Sequence, residues 1–399
     1  MKKQEKRVFD IAVIGDGLAG FLLLYELSKY PAFARQKVLL LGDGKEKHRT
    51  WCFWDKGLEP QFRKMVHTFW KELSFKSDSV KISKDLNELT YYYIPGSSFF
   101  QYFLEEFLPK HNHIIYRTDK ALEIKGSQAN FEITAEHEVY GAKNLYNSAF
   151  LGNKPQIDLW QHFRGWFVES EEAVFETKKA LLMDFSIAQK GDCRFMYVLP
   201  LSEKRALIEL TYFSPQPLKI SEYDIDIARY ISERFGDKYM VLEKEYGQIP
   251  MQQGVFQHSG KNGEINLGTY AGMVKASTGY AFQRILKDSK ELAHSYFSGE
   301  RPRRFTEKDR FAFYDSLLLW VIRNHPHACS RIFSCLFQRR EIDLIFRFMD
   351  QQTNLWEELK IFSSLPAGIF LKALFYKMAE KVYQKPNYNH KDSKKFQNV

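Results

Sequence analysis

Two sets of residues in this sequence have types and spacings suited to chemistry. Gly15, Gly17 and Gly20 stand at the G-x-G-x-x-G spacing in FDIAVIGDGLAG, Phe9 to Gly20. A turn of this kind between a buried parallel strand and a helix makes a dinucleotide cradle. Gly15 allows the tight turn, Gly17 lets the backbone approach a pyrophosphate, and Gly20 lets helix and strand pack closely. Leu18 and Ala19 open the helix, whose unpaired N–H groups and positive dipole end face the phosphates. The second set centres on one carboxyl. In RALIELTYF, alternation puts Leu207, Glu209, Thr211 and Phe213 on one strand face and Ile208 and Leu210 on the other. A carboxylate on a mostly apolar face loses hydration, and its pKa rises. From the strand alone two readings stand: a solvated glutamate on an amphipathic strand, or an acid held neutral.

The elements that must position these residues follow from hydrophobic patterning. The run before Gly15 reads as a buried strand, broken only by Asp10, and FLLLYEL after Gly20 reads as an apolar helix. Val38 to Leu41 reads as the second parallel strand. An acid at the end of that strand usually takes the ribose hydroxyls. Gly42 comes first there and Asp43 next, so Asp43 is the candidate, against a solvated turn aspartate. HRTWCFWDKG, His48 to Gly57, carries too much apolar surface for an open loop and reads as core or as the wall of a ligand pocket.

Strands around a polar turn are expected over 80–93 and a helix over 97–108. Short strands are expected at 113–117, 121–125, 131–135 and 138–140, with 143–150 returning to the parallel sheet. The nucleotide unit is therefore discontinuous in sequence. From Ile157 to Pro250 the texture is strands and turns, with a helix near Tyr223–Phe235. That reads as a second, largely antiparallel sheet, a common place for a substrate pocket beside a dinucleotide unit. Asn266 to Phe282 reads as a strand, a glycine-bearing turn and a helix start. Beyond about Arg304 the chain reads as helical. An amphipathic helix over Ile361–Tyr383, interrupted by Pro366, precedes a basic tail with Lys385, Lys391, Lys394 and Lys395. Such a helix suits a lipid surface or a packed C-terminus.

The 399 residues suffice for two or three core-bearing units, and a 16% aromatic share points to large apolar contact surfaces. A net charge of +9 suits a nucleic acid, an anionic membrane surface or general solubility. No basic run is interleaved with aromatics in a nucleic-acid motif, so nucleic acid is set aside. Cys52, Cys193, Cys329 and Cys335 are scattered, which fits free thiols and gives no metal site. The basic MKKQEKR start is followed by an apolar run holding Asp10 and Asp16, so it is not expected to be a signal peptide. Nowhere do 18 apolar residues run uninterrupted, and no simple spanning helix is expected.

Several stretches together resemble one family, the flavin-dependent lycopene β-cyclases of bacteria and plants. They are GDGLAG, HRTWCFW, QHFRGW, LMDF, FMYVLP, ALIELT, GQIPM, NLGTYAGMVKASTGYAF, RFMD and the late LP, in the family's order and spacing. The resemblance covers nearly the whole chain. It implies an α/β fold: a Rossmann-type FAD-binding domain, a largely antiparallel substrate domain and a helical C-terminal part. The implied boundaries are 1–79, 100–156 and 262–310 for the FAD domain, 80–99 and 157–261 for the substrate domain, and 311–399 for the helical region with its basic tail. It also implies reduced FAD as the active cofactor, NAD(P)H as electron donor, and lycopene and other linear carotenoids as substrates. The enzyme is then an isomerase, placed peripherally on the inner face of the cell membrane.

The resemblance puts the family's functional acid on Glu209, as proton donor to a terminal double bond. A reduced, anionic flavin nearby would raise its pKa further. Gly268 and Gly272 are implied in a second flavin-binding turn, and His48 and Arg49 near the flavin or simply in a loop. Trp51, Phe53, Trp54, Trp166 and Phe185 are candidates for cation–π contacts in the substrate pocket or for core packing. Asp184 is read as positioning Glu209 or the flavin, or as a satisfied buried carboxylate. The chain departs from the family pattern at Asp16 (usually alanine), Gly42 (commonly acidic), Tyr270 (usually small) and Ala276 (often proline). A carboxylate beside the pyrophosphate is unfavourable unless it points away. Two other readings compete: an FAD-dependent monooxygenase or reductase acting on an isoprenoid or lipid, and a non-catalytic carotenoid or flavin binder. Thr269 stands where many flavin hydroxylases have aspartate, which argues against the hydroxylase class.

Overall fold

The apolar runs Val8–Ile14 and Val38–Gly42 lie side by side and parallel at the centre of a seven-stranded sheet. The computed structural model describes residues 7–44, 50–151, 156–254 and 256–383; His48, Arg49 and the tail lysines lie outside the described residues. The order across this first sheet is Ile114–Thr118, Val38–Gly42, Val8–Ile14, Val139–Asn147, Asn130–Ala135 and Ala121–Ser127. The first four strands are parallel and the last two return antiparallel. Ile265–Asn266 adds to Val139–Asn147 in parallel. The stretches expected at 138–140 and 143–150 are thus one strand. Parallel strands covered on both faces need continuous apolar side chains. Ile11, Val13, Val38 and Leu40 meet the helix Leu18–Ser28, while Ala12, Ile14, Leu39 and Leu41 pack with Phe131 and Ile133. Leu18–Ser28 packs in turn on Phe282–Ser298. The expected 97–108 helix runs as Gly96–Gln101 and continues through a π-helical stretch, Tyr102–Phe107. Phe99 and Phe103 seat against Phe21, and Phe107 against Tyr25.

The second sheet runs Tyr239–Pro250, Trp160–Ser170, Arg205–Ser214, Cys193–Pro200, Lys179–Asp184, Glu72–Lys76 and Lys81–Asp85. It is antiparallel except between Lys179–Asp184 and Glu72–Lys76. Helix Ile220–Phe235 covers one face, with Tyr223, Ile227 and Tyr230 against Ile208 and Leu210. The opposite face, with Leu207, Glu209 and Phe213, looks toward the rest of the molecule. The segment expected to enter this unit at 80 enters at Glu72, and Thr90–Pro95 belongs instead to a three-stranded sheet with Thr50–Asp55 and Thr68–Trp70. Pairing partners of strands this short are set by distant contacts such as Phe75 on Phe337, stacked at 4.9 Å.

The C-terminal part is helical: Asp309–Asn324, Cys329–Arg339, Ile342–Met349, Leu355–Ser363 and Ala367–Tyr383. Pro366 stands at the break between the last two, which bend by 119°. Among the described residues no single helix is long and apolar enough to cross a membrane; the two helices of this bent pair are so only together, by length and composition.

The junction of first strand and first helix tests the packing. A Cβ on residue 20 would overlap the Gly15 carbonyl oxygen, which is backbone and cannot swing aside. Gly20→Ala is expected to cost about 1–3 kcal/mol, read as a lowered denaturant midpoint. An unchanged midpoint would show that the helix can back away.

Candidate active site

The glycine turn forms as its spacing predicts. Gly15 has φ +101°, in a region L side chains avoid, and its N–H donates to the Leu41 carbonyl at 2.7 Å, tying the turn to the second strand. A Cβ on Gly17 would meet nothing within 4 Å, so the backbone there is open to an approaching group. Across from it, Gly268 and Gly272 take φ +58° and +75°. A Cβ on Gly268 would stand 2.9 Å from the Ala19 Cβ, so the second glycine turn sits directly on the start of the first helix. The Leu267 N–H donates to Asn147 O at 2.7 Å, which pins that turn to the sheet. Gly15, Gly17, Leu18, Ala19, Gly20, Gly268 and Gly272 are therefore brought together, at the C-terminal ends of the parallel strands. Asp43 lies exposed, one residue past the end of its strand, near enough for its charge to act on Tyr116.

Glu209 sits in a transverse row of the second sheet. Register places Tyr197, Glu209, Gly165 and Glu245 opposite one another on four neighbouring strands. Glu209 and Glu245 stand two strands apart, about 10 Å between backbones, and Gly165 between them presents no side chain. A Cβ there would come within 2.8 Å of Leu207 Cδ1, 2.9 Å of Glu245 Cγ and 3.0 Å of Glu245 Oε1. The Glu245 side chain thus lies over Gly165, beside Leu207, and both carboxyls line the same cavity. Thr211 Oγ1 donates to Glu209 Oε1 at 2.7 Å and Thr50 Oγ1 to Glu245 Oε2 at 2.9 Å, while Glu245 Oε1 is buried with no hydrogen-bond partner. Burial raises the Glu209 carboxyl to about 7, against the Thr211 hydrogen bond, which lowers it. Burial, then the charge of Glu209, raises Glu245 to about 8. The two titrate as a pair, because two charges in one dry pocket cannot both form at ordinary cost.

A cavity of about 250 Å³ holds both carboxyls, and its wall includes Trp51, Thr269, Gly279 and Tyr280. It therefore spans from the second sheet to the second glycine turn. A larger cavity of about 440 Å³ continues from it, with Gln161, Tyr197, Thr278 and Tyr280 common to both. Its lining is almost wholly apolar and comes from the second sheet and the C-terminal helices, for example Phe195, Phe333, Phe346 and Leu374. At the junction the Tyr91 and Tyr280 hydroxyls meet at 3.2 Å. Burial holds Tyr91, Tyr197 and Tyr280 well above ordinary phenol range, so all three stay neutral.

The aromatic candidates divide. Trp51 lines the carboxyl cavity. Trp54 stands just behind the larger one, stacked on Phe346 at 4.0 Å, edge-on to Tyr280 at 4.6 Å and donating to Asp350 at 2.9 Å. Phe53 stacks on Phe282 at 4.1 Å in the core of the first unit. Phe185 lies one layer back, against Phe195 and Phe333. Trp166 is on the wrong face: an odd offset from Gly165 turns it under the sheet, where its Nε1 donates to Asp224 at 2.9 Å. Asp184 is also remote, fully buried and satisfied by Tyr230 at 2.8 Å and the Ser186 N–H at 2.8 Å. It is a structural carboxylate and positions neither Glu209 nor the glycine turns. Glu245, Gly165, Tyr197 and Tyr280 belong to the site although no local signal marked them. The alternation Glu243, Glu245, Gly247, Ile249 gives a face, but only register across two strands brings Glu245 to Glu209.

The parallel sheet with its glycine turns and the second, largely antiparallel sheet beside it make up the two-sheet fold of FAD-dependent flavoproteins. Solved structures agree in fold. A geranylgeranyl bacteriochlorophyll reductase-like protein from Thermoplasma acidophilum matches with TM-score 0.57 and 14% identity over 95% of this chain and 98% of its own. A flavoprotein/dehydrogenase from Cytophaga hutchinsonii matches with TM-score 0.57 and 13% identity over 94% and 100%. The flavin-dependent brominase Bmp2 matches with TM-score 0.53 and 13% identity over 94% and 99%. The family model "Lycopene cyclase protein" matches residues 10–374, and the chain belongs to that family. None of the curated proteins matches it.

The carboxyl pair yields two measurements. An infrared protonated-carboxyl band is expected at pH 7 and should vanish as pH rises past about 8. Its absence at pH 7 would mean that both groups are ionised. Gly165→Ala should displace the Glu245 side chain and cut turnover by about 10²-fold, with the fold intact by circular dichroism. Normal turnover would show that Glu245 need not lie over Gly165.

Proposed function

We propose that this protein is a lycopene β-cyclase: it closes the ψ-ends of lycopene to β-ionone rings and gives β-carotene by way of γ-carotene, with no net redox change. The observation that carries this reading is the pair of buried carboxyls at one end of an apolar cavity, both held above the ordinary carboxylate range by burial. A hydrocarbon polyene offers nothing to hydrogen-bond, so shape and apolar walls must hold it. Ring closure then needs an acid strong enough, and dry enough, to protonate an alkene.

Glu209 gives its carboxyl proton to the terminal double bond, and a tertiary cation forms. The next double bond attacks that cation, and a carbon–carbon bond closes the ring. Loss of one ring proton to the Glu209–Glu245 pair restores the protonation state from which the cycle began. One proton enters and one leaves, so atoms and electrons balance as an isomerisation. The neutral phenols of Tyr197 and Tyr280 and the ring of Trp51 exclude water, which would otherwise trap the cation. FAD fits the two glycine turns by the open approach at Gly17 and the close backbone seat at Gly268. Gly15, Gly17, Leu18, Ala19, Gly20, Gly268 and Gly272 would hold it. When bound and kept reduced by NAD(P)H, FAD would supply negative charge that stabilises a developing cation without giving up electrons.

The substrate lives in lipid, and the helical end of the apolar cavity supports entry from there. Leu371 and Leu374 line the cavity on the last helix. Exposed apolar side chains lie on both helices of the bent pair: Leu355, Trp356, Leu359, Phe375, Tyr376 and Met378. We read this face as a peripheral seat on the inner face of the cell membrane, with the basic composition favouring anionic lipid.

Purified protein with reduced FAD and lycopene in liposomes, under strict anaerobiosis, should give cyclic product of unchanged mass. Product that forms only with oxygen, or that gains oxygen or hydrogen, would overturn the cyclase in favour of a monooxygenase or reductase on the same fold. Glu209→Gln should lower the rate by about 10²–10⁴-fold while flavin stays bound; a normal rate would mean the acid is elsewhere, and turnover should fall as pH rises through about 7–8. Trp356→Glu with Phe375→Glu should abolish flotation with anionic liposomes but leave turnover of detergent-dispersed lycopene; undiminished flotation would move the membrane seat to another face.

A further inference from the structure

The two departures at the nucleotide turn, Asp16 and Gly42, lie in contact. Gly42 ends the second strand, where this fold commonly places the acid that takes the adenosine ribose hydroxyls. A Cβ on residue 42 would overlap the Asp16 carboxylate, Oδ2 and Cγ together. The carboxylate from the first turn therefore fills the volume that a side chain at the strand end would occupy. Its place is fixed from two sides. The Gly15 N–H to Leu41 carbonyl bond ties the turn to the second strand, and the Tyr116 hydroxyl donates to Asp16 Oδ2 at 2.8 Å. Tyr116 stands on the next strand out, opposite Leu40. Asp16 is buried from bulk solvent yet lines the large cavity, about 760 Å³, that also takes in Gly44, Ser98 and Tyr116.

We propose that Asp16 is the ribose-binding acid of this chain: the carboxylate has moved from the end of the second strand to the first turn, and Gly42 is the vacancy that admits it. This rests on the reading that the chain binds FAD. The arrangement removes the conflict between a carboxylate and the pyrophosphate, because Asp16 turns toward the strand end and away from the helix N-terminus. The carboxylate lines the cavity at the strand end, where ribose hydroxyls would meet an acceptor. Asp43, exposed beyond the strand, is not needed for the role.

The test is FAD affinity of the full-length apoprotein, followed by flavin fluorescence, with circular dichroism to check the fold. Asp16→Ala should weaken FAD by about tenfold or more. Asp16→Ala combined with Gly42→Glu returns an acid to the strand end and should bind within about threefold of the natural chain. Displacement of FAD by ADP and by 2′-deoxy-ADP reads the ribose directly: the natural chain should prefer ADP, and Asp16→Ala should lose that preference. Unchanged affinity and preference in Asp16→Ala would overturn the proposal while leaving flavin binding intact. So would a weak single variant that Gly42→Glu fails to rescue, since that is the outcome of a merely structural bond to Tyr116. Should the single variant not fold, the double variant decides by the same affinity. If the natural chain takes up no FAD at all, the flavin reading falls and this proposal falls with it.

Discussion

Two carboxyl groups kept out of water in a single cavity are the constraint around which this molecule is arranged. A carboxylate in an apolar setting is costly, and a second one beside it more so. Burial raises both carboxyls above the ordinary carboxylate range, which favours a proton on the pair. Thr50, from the three-stranded sheet, and Thr211, from the second sheet, each hold one oxygen. The remaining cover comes from Trp51, Tyr197 and Tyr280, contributed by three separate parts of the chain. The acidic pocket is a property of the seam between the nucleotide unit and the second sheet, and neither unit alone would produce it.

Glycine acts here as a way to house a neighbour's carboxylate as much as a way to turn the chain. Gly165 makes room for Glu245 and Gly42 for Asp16, and a Cβ on Gly260 would likewise overlap Glu264. In each case the missing side chain is volume, and an acid from an adjacent segment occupies it. Gly15, Gly268 and Gly272 are different, since their backbones take positive φ values that other residues resist.

The apolar cavity depends on aromatic packing that crosses the whole fold. Trp54 stacks on Phe346, and Phe75 on Phe337, so the N-terminal half braces helices that come hundreds of residues later. Those helices close the cavity on one side, and the exposed apolar side chains lie on the bent pair that follows, Leu355–Ser363 and Ala367–Tyr383.

The sequence by itself determined what local rules govern. The glycine spacing, the apolar runs on either side and the alternation in RALIELTYF were enough for the parallel nucleotide unit, the second sheet and the face on which Glu209 points, because period and turn chemistry are short-range. The family was also legible, through ordered motifs from GDGLAG to the late LP. Only the tertiary structure decided which strands are neighbours. Register set Glu245 across Gly165 from Glu209, put Trp166 and Asp184 on the side away from the site, moved the entry to the second sheet from 80 to Glu72, and laid Asp16 into the space above Gly42. The reason is physical: strand pairing is chosen by the burial of side chains far apart in sequence, so the distance between two acids is a property of the packed molecule and is not written in either neighbourhood.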